Sequence, residues 1–306
     1  MSAAQKIKEK AHELGFELAG IAPAFPVPDF DFFRWWLDRG YAASMSYLQR
    51  GAERRGDPSK ILPGVRSVVC CGLNYFAEAP GDLVARYAQG KDYHEVVLEK
   101  LRTLEDFMRN GIEGGAQTKS YVDTGAILER SYAARAGLGW IGKNTMLINN
   151  GVGSFFFIGE ILTTLAFDEA EYDRPGIDQC GTCTKCLDAC PTGALIEPGV
   201  LDANTCVSYL TIEHRGDFTE EQSKRVGGHF YGCDVCQDVC PYNDRIPVTP
   251  LPEFRPRPEF KSRLETAAWE MTESGFLKMI EESAMDRISF AQWSRNLRAA
   301  GSRGKP

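Results

Sequence analysis

Eight of the ten cysteines in this 306-residue chain fall into two spaced sets. Cys180, Cys183, Cys186 and Cys190 read C-x2-C-x2-C-x3-C followed by Pro191; Cys206 is followed at a distance by Cys233, Cys236 and Cys240, which end C-x2-C-x3-C before Pro241. This is two-cluster ferredoxin spacing, in which three thiolates wrap one [4Fe–4S] cube and the fourth points to the neighbouring cube. The predicted ligand sets are therefore crossed. One cluster takes Cys180, Cys183, Cys186 and Cys240, and the other takes Cys190, Cys206, Cys233 and Cys236. Disulfides belong to oxidising compartments, and zinc knuckles lack the third cysteine and the closing Cys-Pro. The long interval from Cys206 to Cys233 reads as an inserted loop. Cys70 and Cys71 lie in the apolar run RSVVCCGLNY and read as core, where a thiol packs as a small hydrophobe.

Two cubes in series pass electrons one at a time and need a terminus. The 170 residues before them are expected to hold it, and the segment Tyr121 to Leu147 is the candidate. Asp123 follows an apparent strand, and it reads equally as a general acid or as the cap of a turn before Thr124 and Gly125. Gly137, Gly139 and Gly142 then precede Lys143 and Asn144, a spacing that lets backbone approach a large flat or phosphate-bearing ligand. It is not a P-loop, because Asn144 stands where a magnesium-binding hydroxyl is required. Nor is it a dinucleotide fingerprint, because the preceding AILERSYAARA reads as helix and not strand.

The elements that must position these groups give an α+β pattern. Gln5 to Leu14 and Tyr93 to Asn110 carry apolar residues at helical spacing; Ser67 to Leu73 and Ser154 to Leu165 read as buried strands. Residues 1–170 form the predicted catalytic domain, 171–245 the cluster domain, and 246–306 a proline-rich linker (Ile246 to Pro258) with a short helical tail. The formal charge of −7 is uneven: Glu171 to Arg245 carries 6 basic and 13 acidic residues, which argues against nucleic-acid binding through net charge and leaves a local basic face possible. No run reaches the roughly 18 apolar residues of a membrane span. The start of the chain is an amphipathic, charged helix and not a secretory leader, so a cytoplasmic protein with no membrane partner is expected.

Tyr87-Ala88, Gly90, Asp92-Tyr93-His94, VDTG at Val122 to Gly125, Glu129-Arg130, AGLGWIGKNT at Ala136 to Thr145, GSFFFIGEILT at Gly153 to Thr163 and the eight cysteines occur together and in order. In this combination the chain resembles the epoxyqueuosine reductases over about Gln5 to Pro250. The resemblance implies a nitroreductase-like, corrinoid-binding α+β domain joined to a ferredoxin-like domain. It implies reduction of the epoxide of epoxyqueuosine at the wobble position of tRNA, with cobalamin and two [4Fe–4S] clusters. The partners would be a tRNA anticodon loop carrying epoxyqueuosine and an external low-potential electron donor. Asp123 would protonate the departing oxygen, with its pKa raised by burial beside the corrinoid. Corrinoid contacts would come from Arg55, Asp92, His94, Arg130, Lys143, Asn144, Ser154, Ser208, Asp234 and Val235.

Two features depart from the pattern. The D-x-H-x-x-G signature of an axial histidine is half met, since Val97 replaces its glycine, so the corrinoid is expected to bind without a histidine ligand. Here His94 reads as a pocket residue or as a helix-surface histidine, and Arg130 and Lys143 as ligand contacts or solvated charges. The chain also stops soon after Trp293 to Leu297, where longer members continue into helical repeats, and a tRNA-contacting surface is expected to be missing. The competing readings are a related corrinoid or flavin reductase of a small molecule, and a nonenzymatic electron carrier. The carrier needs neither the acid nor the glycine loop.

Overall fold

A computed structural model describes residues 1–79, 83–113, 115–258 and 271–301. Its centre is a four-stranded antiparallel sheet in the order β1-β2-β6-β3, formed by β1 (Leu18–Pro23), β2 (Ser67–Asn74), β3 (Thr118–Tyr121) and β6 (Phe156–Thr163). Every residue of β2 is buried, and alternate side chains enter opposite layers. Val69, Cys71 and Leu73 join one apolar cluster, Val68 and Cys70 the other. Burial pushes both thiols up, as expected of core cysteines.

Helix α1 (Ala3–Glu13) starts at a Ser2–Gln5 capping box, two residues before the apolar periodicity begins. Helices α2 (Phe30–Asp38), α3 (Ser46–Arg50) and α4 (Ala52–Gly56) occupy the connection from β1 to β2. Helix α5 (Tyr93–Asn110) has the predicted bounds and buries Tyr93, Val97, Leu101, Leu104 and Met108 along one face. It lies close on β6 because Gly159 has no side chain: a Cβ there would stand 2.9 Å from Val97 and Leu101. Val97 is thus a packing residue, which explains why glycine is absent from its position.

The glycine-rich loop takes a different form from the ligand cradle expected. After α6 (Glu129–Arg135) it folds into a hairpin of β4 (Trp140–Ile141) and β5 (Leu147–Ile148), with the Gly142 N–H donating to the Met146 carbonyl at 2.8 Å. Gly139 is required because a Cβ there would lie 2.0 Å from the Ile148 carbonyl oxygen. The glycines close a hairpin whose tip carries Lys143 and Asn144.

The cysteine-rich segment contains only short elements: α7 (Lys185–Ala189), the β7 (Leu195–Glu197) and β8 (Val200–Leu201) pair, a π-helical turn at Tyr209–Glu213, α8 (Glu220–Val226) and α9 (Val235–Asp238). The proline-rich stretch from Ile246 packs against the body: Phe254 is buried edge-on against Phe157, with ring centroids 5.0 Å apart. Of the tail, residues 259–270 and 302–306 lie outside the described residues. The rest, α10 (Glu273–Ile280) and α11 (Phe290–Gly301), shares the main core through Phe276 and Trp293, and Trp293 meets Phe230 of the inserted loop edge-on at 5.7 Å. Asn296 donates to the carbonyls of Thr211 and Phe230, and Arg295 to those of Leu210, His214 and Gly216. Among the described residues no helix is long and apolar enough to cross a membrane.

Because Trp293 is fully buried between tail and inserted loop, Trp293→Ala should lower unfolding stability by ~3–5 kcal/mol. Leu277→Ala, at a side chain 56% exposed, should change it by less than about 0.5 kcal/mol. Thermal or denaturant unfolding of the two variants checks this, and equal effects would place Trp293 outside the cooperative core.

Candidate active site

The eight cysteine sulfurs sort electrostatically into two neighbourhoods. Cys240 is acted on by Cys180 and Cys183, and Cys186 by Cys180 and Cys240. Cys206 is acted on by Cys190, while Cys233 and Cys236 are both acted on by Cys206 and Cys190. These are the two crossed sets. None of the ten cysteines forms a disulfide. Among the described residues no three His, Cys, Asp or Glu side chains converge on a point that one metal ion could occupy. Burial pushes Cys233 up to about 12 and raises Cys206 and Cys236 as well, so iron must displace protons as a cluster is built. At Cys190 burial is outweighed by the N–H groups of Leu195, Thr192 and Ala194, which hold the thiol below its ordinary value.

The cluster loops are tied to the body by residues that the sequence had suggested as corrinoid contacts. Lys143 donates to the carbonyls of Gly181 (2.6 Å) and Cys183 (2.9 Å), and buried Asn144 donates to that of Cys236 (3.2 Å). Ser154 donates to Gln237 and accepts from Asn243. Asp234 accepts from the backbone and side chain of Arg86; burial pushes it up to about 6 while Arg86 pulls it back. Ser208 and the Val235 N–H reach the sulfurs of Cys206 and Cys233, respectively. These six positions therefore contact the cluster loops, and the Lys143 ammonium is hydrogen-bonded to two of their carbonyls.

The other four, Arg55, Asp92, His94 and Arg130, gather around Asp123, Asp92 through His94. Asp123 sits in the loop between β3 and α6 with φ 58°, a left-handed conformation that Asp tolerates better than most residues. Its carboxylate accepts from the Tyr93 hydroxyl at 3.1 Å, and His94 Nε2 stands 3.7 Å away, within ion-pair range. It therefore looks outward to α5 and not back onto its own turn. On the other edge of the imidazole, Nδ1 lies 2.7 Å from Asp92 Oδ1, which also accepts the His94 backbone N–H at 2.9 Å and caps α5. Arg55 donates to the Gly125 carbonyl at 3.5 Å, and Arg130 donates to the Thr145 carbonyl.

The charge state of Asp123 differs from expectation. His94 first, and then Tyr93, hold it below the usual carboxylate range against the effect of burial. Burial would depress His94, but Asp123 and Asp92 together raise it to about 9. The resting pair is ionic. Behind it, burial and then the charge of Asp123 push Glu129 up, and Glu160 is pushed up by burial and by Glu129. Glu129, Tyr93 and Arg287 were not given roles from the sequence. Tyr93 was quoted in a motif without a function, and Arg287, which pairs with Glu213 and acts on Asp123 and Tyr47, comes from a tail segment that carries no motif.

Residues 55–124, which include Arg55, Asp92, His94 and Asp123, match the family described as Epoxyqueuosine reductase QueG, DUF1730. Residues 179–243, which hold all eight clustered cysteines, match the 4Fe-4S double cluster binding domain. The curated epoxyqueuosine reductase of Vibrio cholerae is 38% identical over 304 residues, covering 96% of this chain and 81% of that protein.

The chain belongs to the epoxyqueuosine reductase family.

The enzyme of Cellulophaga algicola is 37% identical, with 95% of each chain covered, so a family member of nearly this length is known. Among solved structures, an epoxyqueuosine reductase with a tRNA-Tyr epoxyqueuosine-modified stem loop superposes with a TM-score of 0.86 at 33% identity, covering 97% of this chain and 80% of that one. The Streptococcus thermophilus enzyme gives 0.80 at 29% identity, covering 99% and 81%. The family assignment makes the chain an iron–sulfur oxidoreductase of queuosine biosynthesis.

In the crossed arrangement, Cys240→Ala should remove the cluster held with Cys180, Cys183 and Cys186, with loss of roughly half the bound iron. The cluster on Cys190, Cys206, Cys233 and Cys236 should remain, as read by iron analysis and electron paramagnetic resonance after anaerobic reconstitution. Loss of the Cys206 cluster instead would contradict the crossing.

Proposed function

We propose that this chain reduces the epoxide of epoxyqueuosine in the anticodon loop of a tRNA to give queuosine, with Asp123 handing the proton to the departing oxygen. Electrons from an external low-potential donor in the cytoplasm pass singly through clusters on the two crossed cysteine sets. The observation that carries the reading is the Asp123–His94–Asp92 constellation, in a chain whose β4–β5 hairpin ties both cluster loops through Lys143 and Asn144.

The residues present fit a corrinoid bound without a histidine ligand. Both ring nitrogens of His94 face carboxylates, so neither is free to coordinate a metal. A cobalamin, when bound, supplies a low-valent cobalt that accepts electrons one at a time and attacks carbon. Arg55 and Arg130 would hold its amide-bearing rim on the Asp123 side, and the backbone of Ser208, Asp234 and Val235 would face it on the cluster side. The side chains of Asp234, Ser154, Lys143 and Asn144 are already committed within the protein. Tyr93 orients Asp123. Tyr47, whose side chain is exposed, and Arg287 border the same carboxylate and suit a splayed-out base and its phosphates.

Asp123→Asn keeps the size and the hydrogen bond to Tyr93 but carries no transferable proton. Single-turnover reduction of epoxyqueuosine-bearing anticodon RNA by prereduced enzyme should slow by ~10²–10⁴. Iron and corrinoid content, measured optically in the same sample, should stay at the wild-type level. A near-normal rate in a fully loaded Asn variant would remove Asp123 from the chemistry.

A further inference from the structure

An ionised Asp123 cannot serve as an acid, and the proton must be found elsewhere. The reaction balances as epoxide plus two electrons plus two protons giving an alkene and water. Both carbon–oxygen bonds break, and the oxygen takes up both protons. The two electrons come from the low-potential donor through the clusters. Around Asp123 stand Tyr93 and His94 from α5, Glu129 and Arg130 from α6, Tyr47 and Arg55 from α3 and α4, and Arg287 from the tail. The guanidiniums do not give up protons at working pH, and burial together with the charge of Asp123 holds the Tyr93 proton on its phenol. Glu129, which burial keeps protonated, takes the Asp123 backbone N–H on its carboxyl, and its Oε1 has no hydrogen-bond partner among the described residues, so no hydrogen bond leads its proton to the Asp123 carboxylate.

We propose that His94 stores the proton that Asp123 delivers, and that Asp92 is the positioning residue which fixes His94 for that purpose. The inference rests on the assignment of Asp123 as the proton-delivering group. Asp92 Oδ1 binds both the backbone N–H and Nδ1 of His94, which fixes the ring so that Nε2 faces Asp123 Oδ2 at 3.7 Å. The Tyr93 ring stacks on the imidazole at a centroid distance of 4.1 Å and closes one face. The side chain of His94 is still 32% exposed, so solvent can reload it after the first transfer and supply the second proton. When substrate and corrinoid cover the exposed carboxylate, loss of water disfavours the ionic pair relative to the neutral one. The proton then crosses from Nε2 to Oδ2, and from there to the leaving oxygen.

The test uses loaded holoenzyme and two readouts. In wild type the single-turnover rate should be flat from about pH 6 to 8 and fall as pH rises through about 9, where the His94 proton is lost. In His94→Gln, Asp123 loses its proton source, and its carboxyl returns toward the ordinary range near 4. The rate should then drop ~10²–10³-fold at pH 7 and rise about tenfold for each pH unit lowered. The second readout needs no turnover. With ring-labelled histidine in the oxidised protein, four resonances are expected, and the one lost in His94→Gln should titrate near 9 in wild type. It should fall toward 6.5 in Asp123→Asn. A flat pH profile in His94→Gln, or a His94 that titrates near 6.5 in wild type, overturns the proposal. Retained activity in Asp123→Asn would instead overturn the assignment of Asp123, while the histidine titration would still report on the pair.

Discussion

Two iron–sulfur clusters must be held at fixed distances by loops that have almost no core of their own. Helices α7 and α9 are five and four residues long, far below the length at which a helix is stable alone. Their order comes from outside, chiefly from hydrogen bonds to backbone carbonyls that the loops cannot satisfy themselves. Lys143 and Asn144 reach one loop of each cysteine set from the tip of a single hairpin, Ser154 reaches Gln237 from the start of β6, and Arg86 bridges Asp234 and Asp238. Arg295 and Asn296 hold the inserted loop from the tail. Removing one partner of such a bond leaves a buried polar group unpaired, which costs more than forming the bond gained. The N-terminal body is therefore the mould for the cluster module.

The same body sets the proton-handling side. Helix α5 is pressed onto β6 where Gly159 admits Val97 and Leu101, and this fixes where its first turn begins. Tyr93 stacks on Phe157 of β6 at 4.2 Å, so the phenol that orients Asp123 is locked by the sheet. A core contact one turn into a helix thus decides the placement of an active-site carboxylate. The left-handed backbone of Asp123 completes the arrangement by turning its side chain toward α5.

The parts legible in the sequence were those in which chemistry imposes spacing. Cluster ligation requires particular intervals between cysteines, so the two sets could be read before any fold was known. Helix α5 was legible to its ends because Asp92 caps it and Gly111 follows it. The hairpin form of the glycine loop was not legible for a physical reason: glycine permits both ligand approach and tight chain reversal, and the pairing with Leu147 and Ile148 that makes the hairpin leaves no local signal. Lys143 and Asn144 stood out in the sequence, but their protein partners lie about 40 and 90 residues away and leave no local signal. The same holds for Trp293 and Arg287, whose roles depend on contacts across the whole chain.

The position of His94 opposes the charge it carries. The ring sits in the first turn of α5, where the helix dipole disfavours a cation, and partial burial disfavours it further. Both effects would leave an imidazole neutral at pH 7. Two carboxylates reverse this, and one of them, Asp92, is also the helix cap, so the group that starts the helix also offsets its dipole at the ring. Nearby, burial and then the charge of Asp123 raise Glu129, burial and then Glu129 raise Glu160 well above the carboxylate range, and Glu160 has no hydrogen-bond partner for either carboxyl oxygen among the described residues. Neutral acids there add no further negative charge beside Asp123. The field at His94 is then set by Asp92 and Asp123, and of these Asp123 is the more exposed, with 61% of its side chain accessible against 27% for Asp92. Covering that carboxylate withdraws water from the pair and so disfavours its ionic form relative to the neutral one.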